Sequence, residues 1–105
     1  MKMVRAIIRP EKEKQVVEAL DKNGYSSMTK MHIFGRGKQK GIQVGPIVYD
    51  ELPKILLMIV AKDEDVSKIV NLIESNARTG NIGDGKIFIS EVDEVYTIRT
   101  GNKEL

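Results

Sequence analysis

Ile55-Leu56-Leu57-Met58-Ile59-Val60-Ala61 is an unbroken apolar run, and its reading organises the rest of the chain. A run of this length without polar alternation predicts a central strand buried on both faces. Immediately after it, Asp63 or Asp65 is expected to cap a helix in which Val66, Ile69, Val70 and Ile73 recur at helical spacing. The helix gives way to Thr79-Gly80-Asn81-Ile82-Gly83-Asp84-Gly85-Lys86, and Ile87, Phe88 and Ile89 then form a strand. The second half of the chain is thus strand, helix, loop, strand.

The first half repeats the pattern. Residues 3 to 9 alternate, with Val4, Ala6 and Ile8 on one face, and Pro10 ends the strand. Residues 11 to 23 form a charged helix with Val16, Val17, Ala19 and Leu20 on one side, closed by Asn23-Gly24. A second strand covers 26 to 34. Residues 35 to 53 hold four glycines and two prolines and predict a long protruding loop, in which Ile42, Val44, Ile47, Val48 and Tyr49 can form a short hairpin. Residues 95 to 98 read as a short last strand. The order is β-α-β-β-α-β plus a terminal strand, an α+β, ferredoxin-like sandwich over a single domain, residues 1–105. Two helices cover one sheet face, so the other predicts self-association, most simply as a small ring.

Composition narrows the chemistry. With 105 residues, 41% of them hydrophobic, one core needs no staple. Zero cysteines and a single histidine, His32, exclude thiol catalysis and thiolate metal sites. The sequence offers neither a signal peptide nor an apolar run of membrane-spanning length, so a cytoplasmic protein that is not an integral membrane protein is expected. A net charge of +2 is too small to imply nucleic acid. The cations are unevenly spread, however: Lys30, Arg36, Lys38 and Lys40 lie within one acid-free stretch, a local field suited to a small anion.

Two glycine-and-cation loops stand out, Gly35-Arg36-Gly37-Lys38-Gln39-Lys40-Gly41 and residues 79 to 86. Glycines leave backbone N–H groups uncovered and Lys86 adds a compact positive charge, the donors a polyphosphate requires. Each element also has a plainer role. Gly80 can terminate the helix and Asp84-Gly85 can be an ordinary turn. A Walker loop is excluded, because here a helix leads into a strand and Ile87 follows the lysine. The helix points its negative end at this loop, so an anion must be held by loop amides and cations.

These loops, with Ala6-Ile7-Ile8-Arg9-Pro10, Phe34-Gly35-Arg36, Gln39-Lys40-Gly41, Leu52-Pro53-Lys54, the run from Thr79 to Phe88, and Ile98-Arg99-Thr100-Gly101, resemble the nitrogen-regulatory PII signal transducers nearly end to end. The resemblance implies a trimer binding ATP or ADP in the clefts between subunits, with 2-oxoglutarate beside Mg-ATP at the base of a flexible T-loop, about residues 36 to 52. Gly83, Asp84, Gly85 and Lys86 match the phosphate loop, and Arg99 a further phosphate contact. Ile7, Met28, Thr29 and Val60 match the nucleoside surroundings, with Gly35 and Arg36 at the loop base. Gln39, Lys40, Gly41 and Lys54 match the 2-oxoglutarate site, Gln39 also holding Mg2+ together with the phosphates and the oxo acid. A dicarboxylate beside a triphosphate needs a metal and added cations to offset repulsion, so the two ligands should be coupled.

Some positions depart from the family pattern. Thr97 stands where many members carry a second basic residue, two places before Arg99, which lowers the expected nucleotide affinity. Gly37-Lys38 precedes Gln39 as an apparent insertion. Ile47 occupies the position of the modified tyrosine of the best-known members, and Tyr49 is two places off. The short loop most resembles the nitrogenase-associated branch of archaea and anaerobic bacteria, whose members work as a pair of related subunits. It implies dinitrogenase as target and either a homotrimer or a mixed oligomer with a second PII-like subunit. The alternative is a general PII regulator of an ammonium channel or glutamine synthetase. An RNA-binding reading fails because the central strand has no aromatic. An enzyme reading has little support, since His32 lies in a strand with no cysteine to pair with, and a lone histidine there is more often structural or exposed. Asp63, Glu64 and Asp65 read as a helix start rather than as metal ligands.

Overall fold

A computed structural model describes residues 1–36, 42–49 and 51–105. Strand β1 (Lys2–Ile8) leads through a short 3-10 turn (Pro10–Lys12) into helix α1 (Glu13–Lys22), and β2 (Thr29–Gly35) follows. A small hairpin, β3 (Ile42–Val44) and β4 (Ile47–Tyr49), precedes β5 (Leu52–Ala61), α2 (Asp63–Ala77) and β6 (Gly85–Glu91). The main sheet runs β2-β5-β1-β6, all antiparallel, and β3-β4 form a separate two-stranded sheet. This is the expected ferredoxin-like arrangement, and the hairpin falls where the apolar residues of the long loop placed it.

The core lies on one side of the sheet. Val4, Ala6 and Ile8 of β1 and Ile55, Leu57, Ile59 and Ala61 of β5 point at Val16 and Leu20 of α1 and at Val66, Ile69, Ile73 and Ala77 of α2. Burial therefore alternates along β5, and Leu56, Met58 and Val60 are only half-buried. The expectation of a strand covered on both faces is corrected: both helices pack on one face, and Leu56, Met58 and Val60 on the other are only half-buried. The continuous apolar run reflects a second apolar surface that the two helices leave uncovered.

Other boundaries differ for local reasons. β2 begins at Thr29 rather than at residue 26. In α2, Lys62 is the N-cap, with no side-chain capping bond. Neither Asp63 nor Asp65 caps the helix: Asp63 pairs with the amino terminus at 3.0 Å, and Asp65 accepts a 3.3 Å bond from the Tyr25 hydroxyl. Residues 95 to 98 form no strand. Thr97 N–H donates to Asn102 O at 2.8 Å and Gly101 N–H to Thr97 O at 2.7 Å, so the segment folds back on itself with only a Tyr96–Lys103 bridge. These local turn bonds replace a ladder, and they put Arg99 in an exposed turn.

One glycine fixes how the sheet meets the loop before it. Gly85 pairs with Ile8 at φ +107°, and a Cβ built there would lie 1.7 Å from the Ile7 carbonyl oxygen. Only glycine fits both the backbone angle and the space. Gly85→Ala should cost at least about 2 kcal/mol of stability, read as a lower urea midpoint; a midpoint equal to that of the native chain would contradict this packing.

Candidate functional site

At one end of the sheet, the close of β1, the starts of β5 and β6 and the end of β2 converge on residues 79 to 84. The loop is organised by a carboxylate. Asp84 Oδ2 accepts the backbone N–H groups of Thr79 and Gly80, each at 2.8 Å, while Oδ1 accepts the Thr79 hydroxyl and, at 3.0 Å, Arg9 Nε. The Thr79 hydroxyl oxygen in turn accepts Asn81 N–H at 3.2 Å, and Asp84 N–H donates to Asn81 O at 3.3 Å. Arg9 Nη2 also donates to Ile82 O at 3.0 Å, and the Lys54 ammonium donates to Gly83 O.

This pattern corrects the expectation that the glycines leave the loop's amides open as a set. Four of those amides are already engaged, and among the described residues of the loop the free ones are the N–H groups of Ile82 and Gly83. Gly80 has a positive φ but lies beyond the helix end at Ala77 and its C-cap Arg78, so it shapes the loop rather than terminating α2.

The cations around the loop have distinct environments. Lys54, on β5, is 9% exposed. Burial, and then the adjacent Arg9 guanidinium, push its ammonium below the ordinary lysine pKa, with Glu11 and Asp84 opposing. An acid brought against Lys54 would offset both costs. Lys86 is exposed and forms no ion pair among the described residues. A cavity of about 270 Å³ beside the loop is lined by Ile7, Ile8, Asp84, Gly85, Lys86 and Ile87, by Ile73, Glu74 and Ala77 of the last turns of α2, and by its C-cap Arg78. Gly35 abuts the Lys54 stem, where an added Cβ would lie 3.6 Å from Cγ, and Arg36 follows it, exposed.

The remaining sequence-expected residues lie elsewhere. Met28, Thr29 and Val60 line a second hollow of about 490 Å³ at the other end of the strands, with Met3, Ser27, Met58 and Leu105. Met3 and Ile7 are four residues apart on β1, so the two groups are separated by roughly 14 Å along the strand. Lys30 does not belong to the positive cluster: it is the second residue of β2, at the end away from the loop base, and pairs with Glu13 at 3.0 Å. His32 is exposed. Gln39, Lys40 and Gly41, together with Gly37 and Lys38, lie outside the described residues. In the sequence Arg9 belongs to a strand motif with no separate role assigned to it. Its role became visible when the fold brought it against Asp84, although an arginine closing a strand ahead of a proline was the available signal.

Against known proteins, the sequence model of the family described as nitrogen regulatory protein P-II matches residues 1–102. The chain belongs to the P-II family. Relatives of this P-II chain include a nitrogen fixation nifHD region GlnB-like protein 1 of Methanobacterium ivanovii, 54% identical over the full length of both chains. A nifHD2 region GlnB-like protein 1 of Methanosarcina barkeri is 52% identical, again over the full length of both. The nitrogen regulatory protein P-II 2 of Methanothermobacter thermautotrophicus is 50% identical over 96% of this chain and 91% of its own. A nitrogen-regulatory role follows, and the similarity runs toward the archaeal nitrogen-fixation branch. No helix among the described residues is long and apolar enough to cross a membrane.

The Asp84 carboxyl is held well below the usual carboxylate range, foremost by the Thr79 hydroxyl and then by the Thr79 amide, Arg9 and the Gly80 amide, against the opposing cost of burial. A depressed pKa stabilises the folded loop above the unfolded value of about 3.9 and loses that contribution only as pH falls toward the folded one. Near pH 4, where an ordinary aspartate is half protonated, Asp84 should remain ionised and the Thr79 and Gly80 amide resonances should hold their positions. Titration of those resonances with a midpoint near pH 4 would contradict the network.

Proposed function

We propose that this P-II protein senses nucleotide and 2-oxoglutarate and passes the signal to dinitrogenase through the loop over residues 36 to 52. The observation that carries the reading is the loop at 79 to 84, which presents two amides that are free among the described residues, beside the exposed Lys86 and the buried Lys54. Oriented amides and cations around a small cavity suit a polyphosphate. In this assignment Gly83, Gly85 and Lys86 flank the ATP or ADP phosphates. Asp84 holds the loop in shape, and Lys54 receives the distal carboxylate of 2-oxoglutarate.

The separation of the two groups of site residues supports a shared site. Ile7, Gly35, Arg36 and residues 83 to 86 would form one half, and Met28, Thr29, Val60 and Arg99 would come from a neighbouring copy. The open sheet face, with Met3, Ile7, Leu56, Met58 and Val60 half-buried and Phe88 50% exposed, is apolar enough to drive such an assembly. A homotrimer, or a mixed ring with a second P-II-like subunit, would serve. Among the described residues no group of acids or histidines is placed to hold a metal. Mg2+ is commonly held mainly by phosphate and oxo-acid oxygens, and in this reading Gln39, outside the described residues, would be its protein ligand. Within this family, commonly regulators rather than catalysts, the nifHD-region names of the relatives favour dinitrogenase over an ammonium channel or glutamine synthetase.

Calorimetric titration of 2-oxoglutarate should give binding with Mg-ATP present and little without it. Folded protein that binds under neither condition would overturn the ligand assignment. Lys86→Ala should weaken ATP by about 1.5 to 3 kcal/mol, roughly tenfold to hundredfold. Lys54→Ala should weaken 2-oxoglutarate and spare ATP; equal losses of both would contradict the division of roles.

A further inference from the structure

Arg9 follows β1 directly, and Ile8 before it pairs with Gly85, so the guanidinium sits at the exit of the loop. It is about as shielded as its partner, at 22% side-chain exposure against 23% for Asp84. Its two bonds reach different parts of the loop. Nε goes to Asp84, which gathers the Thr79 and Gly80 amides at the loop entry, and Nη2 goes to the Ile82 carbonyl at the tip.

The second bond has a geometric consequence. Ile82 C=O and Gly83 N–H belong to one planar trans peptide unit, so they point in opposite directions. Holding the carbonyl against Arg9 turns the Gly83 N–H, one of the two free amides, away from the body of the protein. Gly83 itself sits at φ +102°, and an added Cβ would lie 3.3 Å from Arg9 Nη2, so the guanidinium packs directly under the tip.

We propose that Arg9 is a positioning residue for anion binding: its fork fixes Asp84 and the Ile82 carbonyl together and thereby aims the Gly83 amide at the bound phosphate. This rests on the nucleotide reading given above. A lysine has no rigid fork and cannot hold both acceptors in one geometry.

The test uses the full chain and its Arg9→Gln, Arg9→Lys, Asp84→Asn and Arg9→Gln/Asp84→Asn variants, with Mg-ATP affinity by calorimetry and amide exchange in the nucleotide-free protein. Arg9→Gln should weaken Mg-ATP by about tenfold, and Arg9→Lys should not restore it. Thr79 and Gly80 amide exchange should accelerate, while core amides such as Ala6 and Leu57 keep their protection. Because the two side chains act as one unit, the double variant should bind no worse than the weaker single variant. Multiplying losses, full rescue by lysine, or unchanged affinity in Arg9→Gln would overturn the proposal. If the native protein does not bind Mg-ATP, the functional reading fails. The exchange data then decide the clamp alone, with acceleration in Arg9→Gln upholding it and unchanged rates overturning it.

Discussion

The Asp84 carboxylate is the point on which the candidate site depends. A helix that ends by pointing its negative pole at a glycine-containing loop gives that loop no electrostatic reason to close. Asp84 supplies one by accepting bonds from two backbone amides, the Thr79 hydroxyl and Arg9. The charge-assisted bonds are individually stronger than neutral ones, and together they fix which amides are consumed and which stay free. The glycines provide permission for the geometry, and the carboxylate provides the force.

A second constraint is the one-sidedness of the sheet. Both connections cross on the same face, so α1 and α2 bury Val4, Ala6, Ile8, Ile55, Leu57 and Ile59 but leave Leu56, Met58 and Val60 half-covered. The cost of that open face is bearable if another surface covers it, and it places the two groups of site residues at opposite ends of the same strands. Assembly and ligand binding are therefore coupled in the proposed function: the apolar face that draws copies together also brings Met28 and Thr29 of one toward the phosphate loop of another.

Lys54 shows how position changes the meaning of a residue. In sequence it is a cation after a proline in a strand start. In the fold it is nearly enclosed, has its pKa lowered by burial and by Arg9, and is held by a carbonyl of the loop it faces. Among the described residues its hydrogen-bond acceptor is the neutral Gly83 carbonyl, and the nearby Glu11 and Asp84 charges do not fully offset burial and Arg9, so in the proposed function an incoming carboxylate would add to that compensation.

The sequence by itself determined the element order, the hairpin in the long loop, the core faces of β1, α1 and α2, and the two glycine-and-cation segments, because periodicity and turn chemistry are local properties of the chain. It also carried the family, through motifs distributed over nearly its whole length. It could not show that β5 would be covered on one face only, because an apolar run has no record of what packs against it. Nor could it show that residues 95 to 98 would fold back, since a strand exists only where a partner edge offers a ladder. The tertiary structure decided which loop amides stay free among the described residues, that Arg9 grips Asp84, that Lys30 pairs with Glu13, and that Met28, Thr29 and Val60 stand apart from the phosphate loop while Ile7 lies beside it. The Arg9–Asp84 pair spans 75 positions of sequence and is set by the pairing of β1 with β6, the Lys30–Glu13 pair by the approach of β2 to α1, and the choice of free amides by how Asp84 folds back on Thr79 and Gly80.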